Sequence, residues 1–264
     1  MDRILDNSTD LGVLLSIITV THNDAERLSR TIQSLFNFYG DDRYEHIVVD
    51  GGSIDRTSDV VDSLTHVSNF RFDSGLDEGI YDAMNLGTQR SCGRFMLFLN
   101  CGDCMLASPN DIANWLHDID HKSVDILCFP FAHGDSTFFK IVELEKVKSY
   151  KLPTSHQGMV FLSDFVRTYR YDTRYQIAAD YDLYLHAKLS RIIRVPVAGP
   201  LTAVEVDGVA SSNPITSYKE YLLISFRNLQ GFEMIMSLLF IGCRAMLVIP
   251  MKFLLPQSLI KKYR

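Results

Sequence analysis

The chain predicts an α/β fold, a mainly parallel sheet flanked by helices on both faces. Two observations carry this. Short apolar, β-branched runs bounded by polar residues recur along the first 130 positions, and each is followed by a segment whose apolar residues fall at helical spacing. A chain of 264 residues with 47% hydrophobic, 11% aromatic and 22% charged residues can also cover both faces of such a sheet, and that composition excludes a disordered or collagen-like protein.

Taken in order, Leu14 to Val20 reads as a buried strand, and Ala25 to Phe38 as a helix with Leu28, Ile32, Leu35 and Phe36 on one face. Glu45 to Asp50 is a second strand, Gly51-Gly52-Ser53 a turn, and Arg56 to Leu64 a helix. Phe70 to Phe72 is a short third strand, Ile80 to Gln89 a helix and Arg94 to Asn100 a strand. Ser108-Pro109 supplies a cap and a first-turn proline for the next helix, and Asp125 to Pro130 is a further strand. Alternation of this kind implies right-handed crossovers and ligands beyond the carboxyl ends of the strands.

Those strand ends are rich in polar and acidic groups: Thr21-His22-Asn23, Asp50-Gly51-Gly52-Ser53, Asp73-Ser74 and Cys101-Gly102-Asp103. Asp50 is suited to accept hydrogen bonds from a base imide or a ribose, with the glycines allowing close approach and Ser53 or Asp55 capping the helix. Asp103 closes a very apolar strand, where a carboxylate can hold a hard divalent cation bridging two phosphates. Asp82 and Asn85, three apart, share a helix face, whereas Asp180 and Asp182, two apart, point different ways, so that one can cap while the other acts as a base. Cys101-x-x-Cys104 has no second pair to close a zinc site.

Net charge is −6, from 26 Lys plus Arg against 32 Asp plus Glu, which argues against nucleic acid as a partner. Five irregularly placed cysteines and a polar start without a signal-peptide core point to a reducing, cytoplasmic setting.

Read together, the segments resemble the family 2 glycosyltransferases, nucleotide-sugar-dependent enzymes of the Rossmann-like GT-A fold. Ser16 to Asn23 is similar to that family's first strand and loop, and Asp50-Gly51-Gly52-Ser53-x-Asp55-x-Thr57 to its second-strand motif. Ala83-Met84-Asn85-x-Gly87 resembles its A-R-N-x-G helix. Phe98 to Asp103 stands in the place of its D-x-D signature, and Ala179-Asp180-Tyr181 in that of its acidic pair. Gly79 to Asn85 and His156-Gln157-Gly158 are similar to the subgroup of colanic-acid-type and related bacterial polysaccharide transferases. The resemblance implies single displacement with inversion. Asp180 would be the base and Asp103 the ligand of Mg²⁺ or Mn²⁺. Thr21, His22, Asn23, Asp50, Gly51 and Ser53 would hold the nucleoside, and Asp82, Asn85 and His156 would face the donor. The partners implied are a nucleotide-diphosphate sugar and a saccharide or lipid-linked acceptor.

Met84, Asn100 and Ala179 depart from the family's usual Arg, Asp and Glu, which leaves a catalytically degenerate nucleotide-sugar-binding or scaffold protein as the alternative. A phosphoaspartate hydrolase is excluded by the lack of a nucleophile after the first strand, and no P-loop is present. The expected organisation is an N-terminal extension over 1–13, a catalytic domain over 14–210 and a helical segment over 211–264. From Met234 to Arg264 there are five basic residues and no acidic ones, yet Arg244, Pro250 and Lys252 interrupt the apolar run. That pattern disfavours a transmembrane helix and suits attachment to an anionic membrane face, or packing on the domain or a second subunit.

Overall fold

Seven residues in a row are buried along β1 (Leu15–Thr21), and seven along β2 (Tyr44–Asp50), because both faces of the sheet are covered. The side chains nevertheless divide by the two-residue period of a strand. Ile18, Val20, Ile47 and Val49 enter one core with Phe98 and Phe161, while Leu15 and Ile17 enter another with Leu97 and Phe129. In the computed structural model, which describes residues 12–117, 119–134, 139–205 and 213–254, these strands are neighbours in a seven-stranded sheet. The expected extension over 1–13 falls almost wholly outside the described residues, as do Lys261, Lys262 and Arg264.

The other strands are β3 (Phe70–Ser74), β4 (Phe95–Phe98), β5 (Cys104–Met105), β6 (Ile126–Cys128), β7 (Phe131–Gly134), β8 (Phe139–Val142), β9 (Met159–Leu162), β10 (Ile192–Arg194) and β11 (Thr202–Val204). The main sheet runs β10-β6-β9-β4-β1-β2-β3, and β5-β11-β7-β8 form a second sheet. All neighbours in the main sheet are parallel except β9, which is antiparallel to both β4 and β6. Parallel registers bring Thr21 beside Asp50 and Asp50 beside Ser74, so three strand-end loops share one rim.

Helices α1 (Ala25–Ser34), α2 (Thr57–Asp62), α3 (Ile80–Arg90), α4 (Pro109–His117), α5 (Ser163–Tyr169), α6 (Ala179–His186), α7 (Pro214–Asn228) and α8 (Gly231–Leu254) complete the chain. The first predicted helix ends earlier than expected, its tail tightening into a 3₁₀ turn at Phe36–Phe38. Ser108 and Asp111 cap α4 reciprocally, each side chain accepting the other's main-chain N–H. The cap expected for α2 differs: Arg56 occupies the cap position, and Asp55 instead bridges two helices, accepting from Thr57 N–H and from Ala25 N–H at the start of α1.

α7 is tied into the body of the fold. Glu220 (α7) accepts main-chain N–H groups from Gln176, Ile177 and Ala178, and so caps the start of α6. Asn228 donates to Asp182, and Ile224 is buried in the larger core. Ser225 and Ser237 meet at 2.7 Å between α7 and α8. Among the described residues, no helix is long and apolar enough to cross a membrane.

Candidate active site

A cleft of about 570 Å³ opens beyond the carboxyl ends of β1, β2 and β4, within the ~300–1,000 Å³ usual for small-ligand sites. Thr21, His22, Gly51, Asn100 and Asp103 line it, with Asp24 and Arg27 from the start of α1, Asp77 and Ile80 from the approach to α3, and Gln157, Val204 and Glu205 opposite.

The β1 and β2 loops are locked to one another. Asn23 adopts the left-handed region, donates its N–H to Ser53 Oγ at 2.6 Å and accepts from Ile54 N–H at 2.9 Å. His22 Nδ1 lies 3.0 Å from Gly51 O while Asn23 Nδ2 lies 2.8 Å from His22 Nε2, so Nδ1 carries the proton and donates to the carbonyl. Gly51 is crowded: a Cβ there would lie 2.8 Å from Asp77 Oδ2 and 3.2 Å from His22 Nδ1, so a larger residue would push the Asp77 side chain aside.

Asp50 is buried and gives its oxygens to Ser53 N–H and Oγ and to Ser74 Oγ. It stands behind the cleft wall and shapes it. Asp82 and Asn85 do not converge as expected. Asp82 accepts from Glu78 N–H just before its own helix, whereas Asn85 exchanges two hydrogen bonds with the main chain of Tyr171. A shared helix face did not decide where these side chains go; Asn85 is satisfied by a partner 86 residues away.

Asp103 is 4% exposed, and burial raises its pKa to about 7 despite hydrogen bonds from Gln157 Nε2 at 2.8 Å and Glu205 N–H at 3.2 Å. Beside it, Asn100 Oδ1 is buried without a partner. An undercompensated carboxylate and an orphaned amide oxygen at one strand end are a donor set that fits a hard divalent cation. They are two ligands, and no group of three or more His, Cys, Asp or Glu able to hold a metal occurs among the described residues, so a diphosphate and water would have to complete the shell. The nearby thiols do not compete, since burial raises the pKa of Cys101 to about 11 and shifts Cys104 upward too.

One side chain behind Asn100 lies the candidate base. Asn100 Nδ2 donates to His156 Nε2 at 3.0 Å, which leaves the imidazole proton on Nδ1, 3.8 Å from Asp180 Oδ2. Burial lowers His156 to about 4, so the ring is neutral at pH 7. Burial raises Asp180 to about 6, and its Oδ1 accepts from Tyr181 N–H. Asn100 and Asp103 line the cleft, His156 is hydrogen-bonded to Asn100 behind it, and Asp180 lies 3.8 Å beyond His156. Sequence reasoning missed Arg27, Asp77 and Glu205 on the cleft wall, because no motif marks them. It quoted Gln157 only as part of a phrase, without its bond to Asp103.

A family model for glycosyl transferase family 2 matches residues 16–177, which spans β1 to the approach to α6. The chain belongs to glycosyl transferase family 2. It is 31% identical over 189 residues to a Mycobacterium tuberculosis glycosyltransferase, Rv1514c, covering 66% of this chain and 69% of that one. It is 28% identical over 200 residues to a Mycobacterium bovis PGL/p-HBAD biosynthesis glycosyltransferase, covering 70% and 75% respectively. Among solved structures, Staphylococcus aureus TarS in complex with UDP superposes with a TM-score of 0.64 at 20% identity, over 84% of this chain and 68% of that one. A Pyrobaculum calidifontis mannosyltransferase crystallised with GDP-Man and Mn²⁺ superposes with a TM-score of 0.63 at 16% identity, over 86% and 68%. These structures share the GT-A fold. The chain is therefore a glycosyltransferase with an α/β, mostly parallel core, as its motifs led one to expect.

Proposed function

We propose that this glycosyltransferase moves a sugar from a nucleotide-diphosphate donor to a hydroxyl of a saccharide acceptor, with inversion, in the building of a bacterial surface polysaccharide or glycolipid. The observation that carries the reading is Asp180: a carboxylate raised to about 6, next to a neutral histidine that reaches the cleft through Asn100. A base of that strength is ionised at pH 7 yet accepts a proton more readily than an ordinary aspartate. With Oδ1 held by Tyr181 N–H, Oδ2 is the oxygen left to take the acceptor proton as the hydroxyl attacks the anomeric carbon. The neutral His156 ring, 3.8 Å away, adds no charge beside it.

The locked loops of Thr21 to Asn23 and Gly51 to Ser53, backed by Asp50, form the wall against which a nucleoside would rest. Bound at Asp103 and Asn100, Mg²⁺ or Mn²⁺ would offset charge developing on the departing diphosphate. The named relatives in glycolipid biosynthesis support a lipid-linked acceptor, and α8 supports attachment to an anionic membrane face. Phe232, Ile235, Leu239 and Met246 form one stripe of α8, each more than half exposed, while Arg244 and Lys252 are its charges after the first turn. Such a protein would work at the inner face of the cytoplasmic membrane.

The test is transfer from a panel of UDP- and GDP-sugars to a lipid-linked acceptor extract, with metal added or withheld. Donor-dependent product of inverted anomeric configuration is expected. Retention of configuration, or nucleotide binding with no consumption of any donor, would overturn the reading.

A further inference from the structure

Arg27 and Arg30 stand one turn apart on α1, and a single carboxylate spans them. Glu205, at the exit of β11, accepts from Arg27 Nη2 at 2.8 Å through Oε2 and from Arg30 Nη1 at 2.6 Å through Oε1. Both arginine Nε groups are buried without a hydrogen-bond partner, and Arg27 Nη1 also donates to Asp24 Oδ2 at 3.1 Å. Arg27 also lies against Gly102, where φ is +98° and a Cβ would come within 2.6 Å of its Nε, so the backbone at β4's end is shaped to admit the guanidinium.

The cleft wall is otherwise acidic. Asp24, Asp77, Asp103 and Glu205 line it against Arg27, an unfavourable setting for a multiply charged anion. The helix N-terminus, a common source of anion-binding N–H groups, is already spent: Asp24 accepts from Arg27 N–H and Asp55 from Ala25 N–H. What remains on the wall is Arg27, with Arg30 one turn behind it, and Glu205 covers both with two oxygens spaced like those of a phosphate.

We infer that Arg27, backed by Arg30 one turn behind it, is the diphosphate-binding cation of this cleft, and that Glu205 is a built-in competitor occupying the two arginines until a donor arrives. The inference rests on the nucleotide-sugar reading. Binding is then an exchange in which phosphate oxygens replace the Glu205 carboxylate, and the free arginines are never left exposed to each other's charge. Because Glu205 N–H is bonded to Asp103 Oδ1, a cation drawn to Asp103 loosens the same residue that a diphosphate must displace.

Calorimetry on the full chain, in EDTA and in Mg²⁺, tests this with UDP, GDP, uridine, guanosine and inorganic pyrophosphate as probes. Glu205→Gln is expected to tighten diphosphate and pyrophosphate binding by about 3- to 10-fold and to leave the nucleosides unmoved. Arg27→Ala should weaken the same probes by at least about 10-fold, with Arg27→Lys intermediate because it keeps the charge and loses the fork. In the Arg27→Ala, Arg30→Ala background the gain from Glu205→Gln should vanish. Unchanged or weaker diphosphate binding in Glu205→Gln, or equal tightening of the nucleosides, would overturn the inference. The two readings fail separately. Pyrophosphate binding that responds to these variants while UDP and GDP add nothing would keep the arginine pair and remove the nucleotide. UDP or GDP binding indifferent to them would do the reverse.

Discussion

Burial strips Asp180 of hydration that its neighbours only partly replace, which raises its pKa to about 6 and would suit it to the base role proposed for it. Activity should rise with pH through about 6 and level off above it, read as the kcat profile. Asp180→Asn should lower transfer by a factor on the order of 10² to 10⁴ with nucleotide affinity nearly intact, measured by calorimetry beside turnover. Asp103 carries the same strain with a different readout. Its folded pKa of about 7 lies above its unfolded value, so its contribution to stability is full below about pH 4 and is lost as pH rises through 7. Melting temperatures should therefore fall from pH 5 to pH 8, and Asp103→Asn should flatten that slope while weakening diphosphate binding in Mg²⁺. Cys101→Ser and Cys104→Ser should leave binding within about twofold, since both thiols stay protonated at neutral pH.

At the scale of elements, the start of α6 depends on a side chain from α7. Three main-chain N–H groups leading into α6 all point to Glu220. Removing the carboxylate in Glu220→Ala should cost about 2 kcal/mol or more in denaturant unfolding and should lower kcat as well, because Asp180 sits in that first turn. Glu220→Gln, which keeps one acceptor, should fall between. This contact also marks the limit of what the sequence made legible. β1, β2, α3 and the strand-end loops could be read because their signals are local: apolar runs, a two-residue or helical period, and turn residues following directly. The antiparallel direction of β9 was not readable, since Met159–Leu162 is four apolar residues whose partner strands both lie more than thirty positions earlier in the chain. Asn85 on Tyr171, Gln157 on Asp103 and Glu220 on the approach to α6 are likewise pairings between distant segments, which no window of sequence contains.

For the molecule as a whole, α7 and α8 join the catalytic body to whatever lies outside it. One side of α8 packs inward through Ser237 and Ile241, while Phe232, Ile235, Leu239 and Met246 face outward. Changing these four to serine should abolish co-sedimentation with anionic vesicles at low salt and leave the melting temperature nearly unchanged; retained binding would turn attention to packing against a second subunit. The strand order carries a further consequence, for the chain as it is made. β6 does not touch β4, although it follows it; the two are bridged only by β9, which is synthesised later. A nascent chain that ends before Met159 can zip β3-β2-β1-β4 into a sheet but must hold β6 apart, with one open edge on each side of a missing strand. The half that carries the β1 and β2 loops can thus assemble first, and insertion of β9 both seals the seam and brings Gln157 to the cleft and His156 behind it, both just before β9 in the chain. Asp180, Glu205 and Glu220 follow later in the chain and complete the cleft's surroundings after that insertion.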